Sequence, residues 1–211
     1  SRGLGDVYKR QMVDTSDGGS ITVTGNSNVT VGGTRWTGNV TIGAGSALSL
    51  SQVDFKSSDI ILDGTFNLGV CGIDSGGNGA RLVFGIGGIM NVNQKIWGAS
   101  DFSVSGTLAT TSTDLAAGEF QFVTRTLITS AGFDGGSISL GDFTAEDGGA
   151  LTKASGIMEG NAADYQGQYY LYTEDGNVKV QYVVAGAVPE PATATLSLLG
   201  LASLMLRRRR A

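Results

Sequence analysis

Carboxylates are the side chains through which this chain could most readily do chemistry. Asp59 and Asp63 lie four residues apart, and two facing carboxylates can serve as the acid and base of a glycosidase. Segments 14–19 and 74–79 combine side-chain oxygens with glycines, as calcium loops do. Neither has the full alternation of ligands or a closing Glu, so we interpret both as turns and predict no metal. Nothing in the sequence makes the two aspartates face each other.

Nucleophilic chemistry is restricted because the chain has no histidine. Neither a Cys–His pair nor a Ser–His–Asp triad can form, and most zinc sites are excluded. The single cysteine, Cys71, lies in an apolar stretch and is interpreted as a buried free thiol. We therefore predict no catalytic residue, no cofactor and no internal disulfide.

Aromatic residues are the remaining candidates for a binding role, because exposed rings can stack on sugars. We favour packing in the core or between strands for all of them. The set is Trp36, Trp97, Tyr165, Tyr169, Tyr170 and Tyr172.

Charge excludes one class of partner. Between residues 12 and 188 the chain has 17 acidic and seven basic residues, a net charge of −10. Nucleic acid is not expected as a partner, because no basic stripe is available to meet phosphates.

The elements that must position these residues are short β-strands. Apolar and small polar residues alternate in runs that start near residues 20, 28, 39 and 47, with Gly-rich turns between them. Two strands and two turns take about 19 residues, the length of one β-solenoid coil. Further alternating runs continue to residue 184, and Asp175-Gly176 predicts a C-terminal hairpin. We predict an all-β body with a right-handed β-solenoid or β-helix architecture; a β-sandwich or jelly roll is the alternative.

The last 24 residues differ from the rest. Pro189 and Pro191 hold Glu190 in an extended segment, residues 192–206 form an uncharged apolar helix, and residues 207–211 end the chain with four arginines. Fifteen helical residues reach about 22 Å, short for a span unless neighbours and snorkelling arginines extend it. The arginine cluster favours a cytoplasmic C-terminus, so the segment is predicted to be a single transmembrane helix with the body on the other side.

This order of elements resembles the PEP-CTERM sorting signal of Gram-negative bacteria. The resemblance rests on the motif Val188, Pro189, Glu190 and Pro191, on the apolar helix, and on the basic stop-transfer residues Arg207, Arg208, Arg209 and Arg210. It implies processing by an exosortase, a membrane enzyme similar to cysteine transpeptidases. It also implies transient anchoring in the inner membrane, followed by export to the cell surface, outer membrane or extracellular matrix, where such proteins accompany exopolysaccharide and biofilm.

One face of the apolar helix carries small residues, which let another helix approach closely. We hypothesise that this face docks on the exosortase; the alternative is that Ser and Thr only reduce hydrophobicity. The residues are Thr193, Ser197, Gly200 and Ser203.

Three regions follow from these patterns. Residues 1–11 lack the features of a secretory signal and resemble a translated adapter remnant, residues 12–184 form the Gly-rich body, and residues 185–211 form the sorting signal. Because export requires a signal peptide, we expect the chain to be the C-terminal part of a longer protein. Alternatively it begins at Met12 and lacks a signal.

Two functions are compatible with the sequence. We favour a non-catalytic surface or matrix protein associated with exopolysaccharide. The alternative is a polysaccharide lyase or glycosidase on a β-helix, although the body has only seven dispersed basic residues for such a site.

Overall fold

The structure, a computed structural model, describes residues 19–36, 38–55, 58–73, 80–98, 102–134 and 138–187. Strands dominate these ranges, with a single short 3₁₀ helix at Ala162–Tyr165. Within the same ranges no helix has the length and apolar character needed to cross a membrane. The predicted helix at 192–206 lies outside the described residues.

The first face of the body is a parallel sheet built from one strand of each successive coil. Ser20 pairs with Asn39, Val40 with Ile60, and Ile60 with Leu82, so the chain returns to the same face after 19, 20 and 22 residues. In sheet order the strands are β1 (Ser20–Val23), β3 (Asn39–Ile42), β5 (Asp59–Leu62), β7 (Ala80–Phe84), β10 (Phe102–Leu108) and β14 (Ser139–Ala145). This repeating return of parallel strands confirms the predicted β-solenoid.

Two further faces arise because three longer strands turn a corner. These strands are β2 (Asn28–Trp36), β4 (Ala47–Phe55) and β6 (Thr65–Ile73). The first half of β6 pairs with β8 (Ile89–Val92), and its second half pairs with β9 (Ile96–Trp97). The end of β12 (Phe120–Thr129) continues the second face, and β13 (Phe133–Asp134) continues the third. Each coil therefore has three straight segments.

The corner in β6 depends on a glycine. A Cβ on Gly69 would lie 2.4 Å from the carbonyl oxygen of Ser51 in the coil before, which is too close for any side chain. On both sides of the corner, alternate residues point inward and stack on their equivalents in the neighbouring coils. Leu48 of β4 and Phe66 of β6, for example, are register partners and both are fully buried.

A polar column lines the outer surface of the second face. Asn91 donates from Nδ2 to Oδ1 of Asn67 (2.9 Å), Asn67 donates to Oγ of Ser49 (3.3 Å), and Thr129 donates to Oδ1 of Asn91 (2.9 Å). These bonds join successive coils, so they fix the register of the strands from outside the core.

The solenoid ends in antiparallel strands. Residues 120–126 of β12 pair with β17 (Asn177–Gly186), which pairs with β16 (Gln168–Glu174). Asp175 and Gly176 join these two strands with φ values of 49° and 79°, the positive angles of a tight hairpin turn, as the Asp-Gly pair predicted. Two short strands complete this end, β15 (Thr152–Lys153) beside β16 and β11 (Thr111–Ser112) beside β17.

Candidate functional site

The predicted sorting residues lie outside the described residues, and so do their contacts. They are the motif Val188, Pro189, Glu190 and Pro191, the helix face Thr193, Ser197, Gly200 and Ser203, and the cluster Arg207–Arg210. The structure describes the chain up to Ala187, the residue after the end of β17 and before the predicted motif.

The end of β17 is bonded to a loop that leaves the solenoid after β10. The N–H of Ala185 donates to the carbonyl of Thr110 (2.8 Å), Gly186 donates to Glu119 (2.9 Å), and Ala187 donates to Ser112 (2.8 Å). We call residues 109–119 together with 185–187 the C-terminal clamp. Its last bond is made one residue before Val188, so the body fixes the chain directly in front of the predicted motif.

Close approach of the two backbones in the clamp requires a glycine. Gly186 is buried, and a Cβ there would lie 1.8 Å from the carbonyl oxygen of Ala116 and 2.9 Å from that of Leu115. Both obstacles are backbone atoms that cannot rotate away. The Gly186 position therefore excludes every side chain.

A carboxylate supports the clamp from the other side. Glu146 accepts the N–H of Thr111 at 2.9 Å, the N–H of Thr110, and the hydroxyl protons of both threonines. Partial burial acts to raise the pKa of Glu146, but these hydrogen bonds to its ionised form outweigh burial and lower the pKa from the ordinary value of a glutamate. The clamp is thus tied to an ionised side chain.

Two more bonds shape the loop itself. The hydroxyl of Ser112 accepts the N–H of Asp114 (3.1 Å), and the carboxylate of Glu119 accepts the N–H of Ala116 (3.0 Å). The backbone carbonyls of Ser112 and Glu119 are two of the three that accept hydrogen bonds from residues 185–187. Ser112 and Glu119 therefore each accept one hydrogen bond from the loop through the side chain and one from residues 186–187 through the backbone carbonyl.

The aspartates considered as an acid–base pair are not arranged as one. Asp59 is the first residue of β5, and Asp63 lies in the bend that follows the last residue of the strand, so the whole extended strand stands between the two exposed side chains. Arg81 binds Asp59 through two hydrogen bonds of 3.0 Å. The arrangement is that of an exposed ion pair between coils.

Cys71 is fully buried and free, as predicted. Burial in apolar surroundings raises the pKa of its thiol to about 12. The thiol therefore stays protonated at neutral pH, and it serves as a small core residue.

The aromatic residues have divided roles. Trp36 and Tyr169 are buried; the indole N–H of Trp36 donates to Gly38 (3.0 Å), and the Tyr169 hydroxyl donates to Gly141 (3.2 Å). Tyr170 and Tyr172 stack on each other with centroids 5.8 Å apart. Trp97 differs, because half of its surface is exposed. Packing, which we predicted for the whole set, is wrong for this one residue.

In the part of the chain that the structure describes, no group of three or more His, Cys, Asp or Glu side chains could hold an ion. Segment 74–79 lies outside the described residues, and of segment 14–19 only Gly19 is described.

Sequence reasoning missed the clamp, and one signal could have revealed part of it. A glycine inside an alternating strand often marks a close approach of another backbone, and Gly186 stands at the end of such a run. No comparable signal marks Glu146, because its partners Thr110 and Thr111 are 35 residues or more away in sequence.

Comparison with known families finds a match that begins at the last residue of the clamp. Residues 187–210 match the family model described as the PEP-CTERM protein-sorting motif. No curated protein and no solved structure matches the chain.

Proposed function

We propose that the β-solenoid body is a non-catalytic component of the extracellular polysaccharide layer. The chain carries a PEP-CTERM sorting motif and is thus an exported protein sorted by an exosortase. The observation that carries the proposal is the clamp. It fixes the end of the body at Ala187, the residue at which the matched segment begins.

The architecture supports a spacer or scaffold. Stacked coils bury a continuous core of Leu, Ile, Val and Phe residues, and polar columns join the coils on the outside. Stability of this kind needs no disulfide, metal or cofactor. A net charge of −10 between residues 12 and 188 keeps the surface soluble and hydrated.

The outer carboxylates support the non-catalytic interpretation. Asp59 is bound by Arg81, and Glu146 holds the clamp, so these two have structural partners. Catalysis of glycoside cleavage needs two carboxylates held on opposite sides of one bond. We therefore favour the scaffold over a β-helix lyase or glycosidase.

Intact-mass analysis of the protein recovered from outside its native cells tests the sorting step. We expect the mass to lack residues beyond a junction in the motif, and a Glu190→Ala variant to keep its tail. Full-length protein with an intact C-terminus in the soluble cytosol would contradict the proposal. A Ser197→Leu/Gly200→Leu variant tests helix docking separately: we expect slower processing, and unchanged processing would exclude that docking.

Incubation of the purified protein with a panel of polysaccharides tests the absence of catalysis. We expect polymer length to stay constant and no reducing ends to appear. Release of reducing ends or unsaturated products would show that the body is an enzyme. An Asp59→Asn variant provides the control, since only an activity that depends on this carboxylate would be lost.

A further inference from the structure

The strand that leads to the sorting motif is paired on both sides close to its end. Ala185 of β17 lies opposite Phe120 of β12 on one side and opposite Thr111 of β11 on the other. The next bond towards the motif is the one that Ala187 donates to the carbonyl of Ser112 (2.8 Å). Both edges of the backbone are therefore occupied at Ala185, and a further strand can add there only after one of them opens.

The loop of the clamp, residues 109–119, is held by the body independently of β17. Leu115 packs against the hydrophobic core. The carboxylate of Glu146 accepts the backbone N–H groups of Thr110 and Thr111. Because these contacts fix the loop in place, the part of the clamp that can move is the strand end, residues 185–187.

The strand end can leave the loop without disturbing the core. Residues 185–187 are Ala-Gly-Ala, whereas Val183 and Val184 immediately before them are buried. Opening therefore breaks mainly the three backbone bonds of the clamp. Each bond favours the closed state by about two- to twelvefold, so three together favour it by about ten- to two-thousandfold. The open strand end is a minor state of the folded body.

An enzyme that processes a peptide needs an accessible stretch of backbone, which it often binds as an added strand. Only residues 188–191 separate the clamp from the apolar run that starts at Ala192, and four residues reach at most about 14 Å. The matched segment begins at Ala187, whose N–H is bonded to the loop. The closed clamp thus withholds the first residue of the matched segment and keeps the folded body next to the motif.

We propose that the C-terminal clamp is a gate for sorting, and that the exosortase acts on the minor state in which residues 185–187 have left the loop. When only a fraction of a protein is competent to bind, its apparent affinity falls by that fraction. The gate therefore slows processing of the folded precursor, and any change that opens the clamp accelerates it. The inference rests on the proposed function, because it names what regulates the sorting step.

Pulse-chase labelling of the full chain, in cells that contain the native exosortase, measures the rate constant of tail removal. Gly186→Ala places a Cβ 1.8 Å from the carbonyl oxygen of Ala116 and so forces the strand end from the loop. We expect its rate constant to exceed that of wild type by about tenfold or more. Gly156→Ala is the matched control, since no heavy atom lies within 4 Å of its Cβ, and its rate constant should equal that of wild type.

An insertion tests the gate without altering the clamp. Gly-Ser-Gly-Ser placed between Ala187 and Val188 moves the motif away from the body, so the enzyme no longer needs residues 185–187. We expect a rise in rate similar to that of Gly186→Ala, and no further rise when the two changes are combined, because both remove the same step. Hydrogen exchange should show residues 185–187 protected in the insertion protein and exposed in Gly186→Ala.

Three results would overturn the gate. They are equal rates for wild type, Gly186→Ala and the insertion protein, a further rise when the two changes are combined, and slower processing of Gly186→Ala, which would mean that the enzyme docks on the closed clamp. Failure of the sorting proposal gives a different result, because wild type and Glu190→Ala would then keep their tails alike.

Discussion

Replacing Gly186 with alanine is the sharpest test of the clamp. The new Cβ would lie 1.8 Å from the carbonyl oxygen of Ala116, and the φ of Gly186 is outside the left-handed region, so collision alone is the cause of any effect. The strand can avoid the collision only by moving away from the loop. The three backbone bonds of Ala185, Gly186 and Ala187 are then lost together.

The magnitude follows from those bonds. Each contributes about 0.5–1.5 kcal/mol net, so the free energy of local opening at residues 185–187 should fall by about 1.5–4.5 kcal/mol. This corresponds to roughly ten- to two-thousandfold faster amide exchange. The fall in global stability should be no larger, because the clamp lies at the edge of the fold.

Native-state hydrogen exchange followed by mass spectrometry measures the effect on the peptide that ends β17. Gly156→Ala is the matched control, since no heavy atom lies within 4 Å of its Cβ and its φ is also outside the left-handed region. Unchanged protection of residues 185–187 in Gly186→Ala would refute the argument, because it would mean that the loop yields without loss of the bonds.

Three further predictions concern the clamp and the core. The folded-state pKa of Glu146 is lowered, so its contribution to the stability of the fold is present above pH 4.5 and is lost as the pH falls through the folded-state pKa. Thermal unfolding from pH 6 to 3 should therefore depend less on pH in Glu146→Gln than in wild type. Identical profiles for the two proteins would contradict this. Phe66→Ala should lower the free energy of unfolding by about 3–5 kcal/mol in urea, whereas the exposed Ile61→Ala should change it by less than about 0.5 kcal/mol. A similar loss in both would place Phe66 outside the core. Cys71 should not react with a thiol reagent at pH 8 until the protein is unfolded, and rapid labelling of native protein would show that the thiol is accessible.

Much of the fold could be predicted because local patterns determine which way side chains point. The starts predicted near residues 20, 28, 39 and 47 are the starts of β1 to β4, and the Asp175-Gly176 turn joins β16 to β17. Alternation indicated burial correctly in β3 and on both sides of the corner in β4. The coil length followed from adding strands and turns, because the first coils contain no insertion.

Pairing between distant segments could not be predicted in the same way. Thr111 pairs with Ala185, and nothing near either residue indicates the other. The two-residue strands β9 and β13 are too short to show a period, yet they hold Trp97 and Asp134 in register. The corners inside β4 and β6 were also missed, because alternation is interrupted there for only two residues.

The position of the clamp also determines how proteolysis in the sorting segment affects the stability of the body. The backbone bonds described for β17 and Ala187 involve residues upstream of Pro189, so a cut at or beyond Pro189 removes none of them. Precursor and trimmed product should therefore share one melting temperature when both are measured in detergent. Detachment from the bilayer would change the location of the protein and leave the conformation of its body unchanged.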